Sequence, residues 1–171
     1  MNTMNTANPA GTLPKTAPGG LSALGLKLLA MALMLCDHLW ASVASDQAWL
    51  THIGRIAFPI FAFQIAEGFA RTHDRKRYLL RMLAFAAVSE IPFNLFYAGT
   101  AVYPFHQNVM FTFVLAILLL LGVEKFRAKG RIAYLLAAAA AVVLGYVLGT
   151  VTMVDYYGCG VMTVLLFYFC R

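Results

Sequence analysis

The chain has 171 residues, of which 61% are hydrophobic and only 12% are charged. This composition is typical of an integral membrane protein and excludes an ordinary soluble domain. The formal net charge of +6 resides in short Lys and Arg clusters between apolar runs, a pattern that sets membrane topology, so nucleic acid is not an expected partner.

The chain begins with a polar stretch. Residues 1–20 are rich in Asn, Thr, Pro and Gly, and a segment of that composition has too little apolar surface to fold. We therefore expect a flexible polar tail at 1–20 and a transmembrane helical domain at 21–171. The apolar run after the tail carries Lys27 and continues well past a signal-peptide core, so a cleaved signal peptide is not predicted.

Runs of about 20 apolar residues predict helices that cross the hydrocarbon core of a bilayer. Six candidates follow in chain order, at 21–44, 53–70, 78–98, 108–123, 132–154 and 158–170. The predicted fold class is all-α, a polytopic integral membrane bundle of about six transmembrane helices with membrane lipid around it. The last run is short and Arg171 ends the chain, so either this helix barely spans or the chain is a C-terminally truncated form.

Basic residues in the short loops predict the orientation of the helices. Five cluster around the second loop and four around the fourth, namely Arg71, Arg75, Lys76, Arg77 and Arg81, then Lys125, Arg127, Lys129 and Arg131. Because basic short loops stay in the cytoplasm, both loops are predicted to be cytoplasmic, and an even number of helices puts both termini there. The third loop, 99–107, has neither Lys nor Arg and is assigned to the outer side, where Arg55 is the one exception.

Ionisable residues occur inside three of the predicted spans. A charged group near the centre of a membrane helix costs about 3 kcal/mol on insertion, so such residues are normally kept for a reason. His38 lies about 16 Å along the first helix from Lys27, and Glu90 lies at a similar depth, with Asn94 one turn later. We expect the acidic residues Asp37, Glu67 and Glu90 to line a polar cavity inside the bundle, with His38 on a different wall of it.

Each of these residues also has a plainer interpretation. Adjacent helical residues do not face each other, so Asp37 does not orient His38, and Asp37 is expected to pair with a cation such as Arg55. A structural polar contact between helices is the alternative to catalysis or transport for this pair. Glu67 either lines the cavity or pairs with Arg71 across one turn, and topology alone explains the basic cluster.

Neither a metal site nor a disulfide framework is predicted. The four histidines fall on different sides of the predicted membrane, and none has metal-ligand spacing to a cysteine. The three cysteines, Cys36, Cys159 and Cys170, all lie in apolar runs, where they are expected to act as packing residues.

Several motifs in fixed order resemble the TraX family, from about residue 24 to the end of the chain. In chain order they are Lys27 with Asp37-His38, Ile53-Gly54-Arg55-Ile56-Ala57-Phe58-Pro59-Ile60-Phe61-Ala62-Phe63, Glu67-Gly68-Phe69 with Thr72, Tyr78-Leu79, Ser89-Glu90-Ile91-Pro92-Phe93-Asn94, and Asn108-Val109-Met110-Phe111-Thr112. The resemblance implies a bacterial inner-membrane protein linked to conjugation or fimbriae, in a family whose founding member is associated with N-terminal acetylation of F-type pilin. The family is also similar to transmembrane acyltransferases, in which an intramembrane His near the first helix serves acyl transfer, and His38 is the matching position.

Residues and resemblance together favour an acetyltransferase that moves an acetyl group from acetyl-CoA to pilin or another acceptor on the outer side. His38 is the expected general base, Arg55 or Asn94 would stabilise the oxyanion, and Asp37 and Glu90 would hold the cationic groups and the imidazole in place. Arg71, Arg75, Lys76 and Arg77 are the expected contacts of the donor's phosphates.

Two other functions remain open at this stage. A small proton-coupled transporter would also need buried acidic residues, a histidine and a helix interrupted by a proline such as Pro92. A non-catalytic pilus or conjugation assembly protein would need none of these groups for chemistry, so replacing His38 separates it from the enzyme.

Overall fold

A computed structural model describes residues 21–171, and the predicted tail at 1–20 lies outside the described residues. The described part is helical and has no strand. Its elements are α1 (Ala23–Ser42), α2 (Ala48–Gly54), α3 (Ala57–Arg71), α4 (Arg75–Ala98), α5 (Val109–Glu124), a 3-10 helix (Arg127–Lys129), α6 (Arg131–Val151) and α7 (Tyr157–Phe169). The all-α prediction is confirmed.

Five helical segments in residues 21–171 are long and apolar enough to cross a membrane. They are α1, the segment formed by α2 and α3, α4, the segment from α5 through the 3-10 helix, and α6. The sixth apolar helix, α7, has 13 residues, or about 20 Å, which is shorter than a hydrocarbon core of about 30 Å. The multi-pass architecture is therefore as predicted, with one helix shorter than a full span.

The predicted second span, 53–70, is not one continuous helix. α2 ends at Gly54 and α3 begins at Ala57, with Arg55 and Ile56 between them. Pro59 has no N–H to donate to the carbonyl of Arg55 four residues earlier, so the helical hydrogen-bond ladder is interrupted at that point. The connection 43–47 lays α2 along the end of α1, and α3 continues the chain after the break.

Gly54 is the point of closest approach between α1 and α2. A Cβ atom at this position would lie 2.6 Å from both the Cβ and the backbone nitrogen of Asp37. Only a residue without a side chain can occupy this position while α1 stays where it is. Gly54 therefore determines how closely Asp37 is held against α2.

Replacing Gly54 with Ala should destabilise the protein by about 1–3 kcal/mol, because the new methyl group overlaps the α1 backbone. Thermal unfolding of the detergent-solubilised protein measures this. Gly122→Ala in α5 is the matched control, since no atom lies within 4 Å of its added Cβ and Ala favours a helix by about 1 kcal/mol over Gly. Equal unfolding midpoints for the two variants would contradict the packing described here.

The core lies where α3, α5 and α7 meet, with α6 on one side. Its largest fully buried side chains include Phe69, Ile117, Leu120 and Leu165. By contrast, α1 buries only Ala30 and α4 only Ala86 and Asn94. α1 packs on α2 and α3 whereas α4 packs on α5, and contact between α1 and α4 is sparse.

The bundle has two chemically different ends. The basic end carries the connection between α3 and α4 and the 3-10 helix, with their Arg and Lys residues. The other end, which we call the cleft end, carries the connections 43–47, 99–108 and 152–156. Two of these are tied together, because Gln107 N–H donates to the Met153 carbonyl at 3.0 Å and Asp155 N–H donates to the Gln107 carbonyl at 3.0 Å.

Candidate functional site

A cleft of about 510 Å³ opens between α1 and α4 at the cleft end of the bundle. Asp37 and His38 line it from α1 and Phe93 and Phe96 from α4, while the connection between α6 and α7 contributes Asp155 and Tyr156. The cleft thus combines ionisable groups with aromatic walls, a composition typical of small-molecule sites.

His38 faces this cleft with a defined hydrogen bond. Its Nδ1 lies 2.8 Å from the carbonyl oxygen of Met34, one turn earlier in α1, and its ring centroid lies 5.5 Å from that of Phe96. Because a carbonyl only accepts, Nδ1 carries the proton, and the lone pair of the neutral imidazole is on Nε2. The exposed ring is thus arranged to accept a proton at Nε2.

Asp37 points to a different partner from His38, as predicted for adjacent helical residues. Its Oδ1 accepts a hydrogen bond from Thr51 Oγ1 at 2.7 Å. Thr51 in turn accepts from Arg55 Nε at 3.4 Å. The predicted pairing of Asp37 with Arg55 is therefore indirect, because the Thr51 hydroxyl lies between the carboxylate and the guanidinium.

Asp155 brings a second carboxylate into the cleft, which the sequence analysis did not select. Thr112 Oγ1 donates to its carbonyl at 2.6 Å, and its Oδ1 lies 3.7 Å from Nε2 of His106. Burial raises the pKa of Asp155 above its usual value, against the opposing effects of His106 and Arg55. One feature of the sequence could have identified it, because Asp155 is the one charged residue in the turn between α6 and α7.

Tyr156 forms the aromatic floor beside Asp155. Its backbone has φ of 61°, a left-handed conformation that ends the connection and starts α7. Its ring stacks on Phe58 of α3 with centroids 4.0 Å apart, and burial raises the pKa of Tyr156 to about 12. The phenol is therefore neutral at physiological pH.

The raised pKa of Asp155 predicts a pH-dependent stability difference for Asp155→Asn. A carboxyl with a raised folded pKa contributes stability that is complete below its unfolded value of 3.8 and is lost as the pH rises through the folded value. Because the amide does not ionise, Asp155→Asn should become more stable relative to wild type as the pH rises through that window.

Unfolding midpoints measured between about pH 4 and about pH 7 test this. Asp46→Asn removes an exposed carboxylate at the same end and serves as the control. A stability difference between wild type and Asp155→Asn that stays constant across this range would refute the assignment.

Glu90 and Asn94 stand behind the cleft wall, and neither is among the residues that line the cleft with His38. Glu90 Oε2 accepts from both the side chain of Asn108, at 2.6 Å, and its backbone N–H, at 3.2 Å. Asn94 is 3% exposed, and its Nδ2 lies 3.5 Å from the Ala101 carbonyl. Both side chains thus brace α4 against the next connection and the start of α5.

Asn108 is a lining residue that the sequence analysis quoted only as part of a motif. Its Oδ1 accepts from Met110 N–H at 2.8 Å, which caps α5. Its Nδ2 also donates to the Ala86 carbonyl at 3.1 Å. One amide side chain therefore makes hydrogen bonds to a backbone N–H at the start of α5, to a backbone carbonyl of α4 and to the Glu90 carboxylate.

The predicted donor-binding residues all lie at the basic end. Arg71 pairs with Glu67 at 2.6 Å, Arg75 with Glu124 at 3.1 Å and Arg77 with Asp74 at 3.5 Å, whereas Lys76 is exposed. The plainer interpretation of Glu67 is thereby confirmed. Phe61 of α3 lines the cleft and Arg71 follows ten residues later in the same helix, which is about 15 Å along its axis.

Residues 21–171 contain no group of three or more His, Cys, Asp or Glu side chains that could hold a metal ion. Cys36, Cys159 and Cys170 are free thiols. The ionisable groups that line the cleft are the carboxylates of Asp37 and Asp155 and the imidazole of His38.

Fold and cleft together define a multi-pass helical membrane protein with an ionisable cleft at one end. A family model described as TraX protein matches residues 22–171. The chain therefore belongs to the TraX family.

Two curated relatives share part of this sequence. One, from Dichelobacter nodosus, is named probable fimbrial assembly protein FimC, serogroup H1, and is 31% identical over 112 residues, covering 58% of this chain and 46% of the relative. The other, protein TraX of Escherichia coli strain K12, is 32% identical over 93 residues, covering 53% of this chain and 36% of the relative. The matches thus span less than half the length of either relative, and no solved structure matches the chain.

Proposed function

We propose that this chain carries the acyl-transfer site of a pilus- or conjugation-related membrane acetyltransferase, with His38 as the general base. The observation that carries the proposal is the position of the imidazole. Its Nδ1–H is held by the Met34 carbonyl, and the ring opens into a cleft that also holds Asp37 and Asp155.

The imidazole would act on the acceptor amine. Nε2 takes a proton from the amine as its nitrogen attacks the acyl carbonyl carbon, and the same proton is then available to the departing thiolate as the carbon–sulfur bond breaks. The hydrogen bond to Met34 keeps the ring in the tautomer that this step requires. Asp37 and Asp155 favour the imidazolium formed in between, because negative charge nearby stabilises it.

Acetyl-CoA as the donor would supply an activated thioester carbonyl. Its phosphates fit the chemistry of the basic end, where Arg71, Arg75, Lys76 and Arg77 gather at the far end of α3 from the cleft. Lys76 is exposed, and Arg75 projects into a crevice at that end. Arg71 and Arg77 would have to exchange their present carboxylate partners for phosphate.

Arg55 is the better of the two predicted oxyanion-stabilising residues. It follows Gly54, which lines the cleft, and its guanidinium is anchored through Thr51. Asn94 is buried behind α4 and points its amide at Ala101, so it supports the cleft wall instead. Glu90 has the same supporting role through Asn108.

The acceptor class comes from the relatives. One is named for probable fimbrial assembly, so a pilin amino terminus is the acceptor we favour. The positive-inside rule places the basic end in the cytoplasm of a bacterial inner membrane, with both termini on that side, and puts the cleft at the outer face. The acceptor would then meet His38 from the outer leaflet.

Mass spectrometry of pilins and membrane proteins from cells with and without the chain tests the proposal. We expect one acetyl increment on an acceptor only in cells that carry it. An identical mass profile in both strains would rule out acetyltransferase activity and favour the non-catalytic assembly function. Counterflow of a radiolabelled amine in proteoliposomes without any acyl donor would instead favour the transporter.

A further inference from the structure

A second crevice lies at the basic end, remote from the His38 cleft. It has a volume of about 530 Å³. Arg75 and Arg127 line its mouth together with Tyr134 and Tyr168, and α6 forms its floor. The proposed acetyl transfer uses Arg75 but neither Arg127 nor this face of α6.

The charged mouth of this crevice is built around one buried carboxylate. Glu124, with 8% of its side chain exposed, accepts from Arg75 at 3.1 Å and lies 3.3 Å from Arg127. Two guanidinium groups therefore face one carboxylate. The mouth keeps an excess positive charge, and the two arginines are held in place before any ligand arrives.

Aromatic rings fix the direction of the two guanidinium groups. Arg75 lies over the Phe69 ring at 4.8 Å and Arg127 over the Tyr134 ring at 5.3 Å. Arg127 is still 64% exposed in its side chain, so its remaining N–H donors are available to a ligand. Planar, partly desolvated guanidinium groups of this kind are suited to phosphate oxygens.

The floor of the crevice is apolar. Leu135, Ala138, Ala139 and Val142 of α6 line it, and these positions extend about 10 Å along the helix away from the arginines. The small Ala side chains leave a groove directly below the charged mouth. A ligand that fills both parts needs an anionic head and a hydrocarbon tail.

We propose that this crevice binds a phosphate-bearing amphiphile, with its phosphate at Arg75 and Arg127 and its acyl chain along α6. Basic pockets between transmembrane helices on the cytoplasmic side are suited to anionic lipid headgroups. The same chemistry would also accept the phosphates of an acyl-CoA from solution. The site does not depend on acetyl transfer at His38.

Native mass spectrometry of the detergent-purified chain tests this with phosphatidylglycerol and acetyl-CoA as separate probes. Arg127→Gln should weaken binding of the preferred probe about tenfold, since one charge-assisted contact is lost. Arg75 still pairs with Glu124 in this variant, so the fold should hold. Lys125→Gln also removes one positive charge at the same end, from an exposed position outside the crevice, and should bind like wild type.

A second variant separates the two sources of phosphate. Ala138→Leu fills the groove and should weaken phosphatidylglycerol binding while leaving acetyl-CoA unchanged, whereas the exposed Ala140→Leu should affect neither. If both Arg127→Gln and Ala138→Leu lose phosphatidylglycerol binding, the crevice is a lipid site. If Arg127→Gln loses acetyl-CoA binding and Ala138→Leu keeps it, the crevice binds an acyl-CoA from solution. Binding of both probes by Arg127→Gln at the wild-type level would overturn the proposal.

Discussion

Replacing His38 with Ala should reduce acetyl transfer by about 10²–10⁴-fold, the usual contribution of a positioned general base. The loss should appear in the rate and not in the amount of inserted protein, because the ring is exposed in the cleft and makes one side-chain hydrogen bond. Acetylation of a pilin-derived peptide by the purified protein, followed by mass spectrometry, measures the rate.

His52→Ala is the matched control for this loss. His52 is an exposed imidazole on α2 at the same end of the bundle, outside the cleft, so its removal should leave the rate unchanged. A His38→Ala protein as active as the His52→Ala protein would rule out the proposed base. Equal loss in both variants would instead indicate a disturbed fold.

Asn108→Ala should produce the largest loss of stability, about 3–5 kcal/mol. The change removes the cap of α5 and leaves the partly buried Glu90 carboxylate without the donor 2.6 Å away. Loss of a side-chain donor to a partly buried carboxylate costs about 1–3 kcal/mol or more, loss of the cap costs about 1 kcal/mol, and the Ala86 carbonyl loses its donor as well. Denaturant unfolding in mixed micelles measures the change.

Asn108→Asp separates the two contributions. A carboxylate at this position can still cap α5 through one oxygen, but it replaces the amide donor with a charge that repels Glu90. We expect this variant to be at least as destabilised as Asn108→Ala at neutral pH, although its helix cap is retained. Wild-type stability of Asn108→Ala at neutral pH would show that Glu90 does not need this partner.

The sequence was sufficient to predict most of the helices and the presence of Asp37 and His38 within the first of them. Hydrophobic runs gave the spans because lipid imposes length and apolarity on each helix. The cost of charge in lipid identified Asp37 and His38, and the structure places both in one cleft. The interruption at Arg55 was missed, since Pro59 lies inside an otherwise uniform apolar run.

Contacts between helices could not be obtained from periodicity. Asp155 reaches the cleft because Thr112 of α5 and Gln107 hold its backbone from other parts of the chain. Glu90 and Asn94 are close in sequence to α4 residues that line the cleft, yet their side chains bond to Asn108 and Ala101 instead. Which face of α4 borders the cleft depends on its packing with α5, which the sequence of a single helix does not encode.

The sparse packing between α1 and α4 has a consequence for how a substrate arrives. Where these helices come together, His38 and Phe96 meet ring to ring. Few contacts therefore close the cleft between α1 and α4. In the proposed acetyltransferase, an acceptor anchored by its own hydrophobic segment would reach His38 through this gap by lateral diffusion, without leaving the lipid.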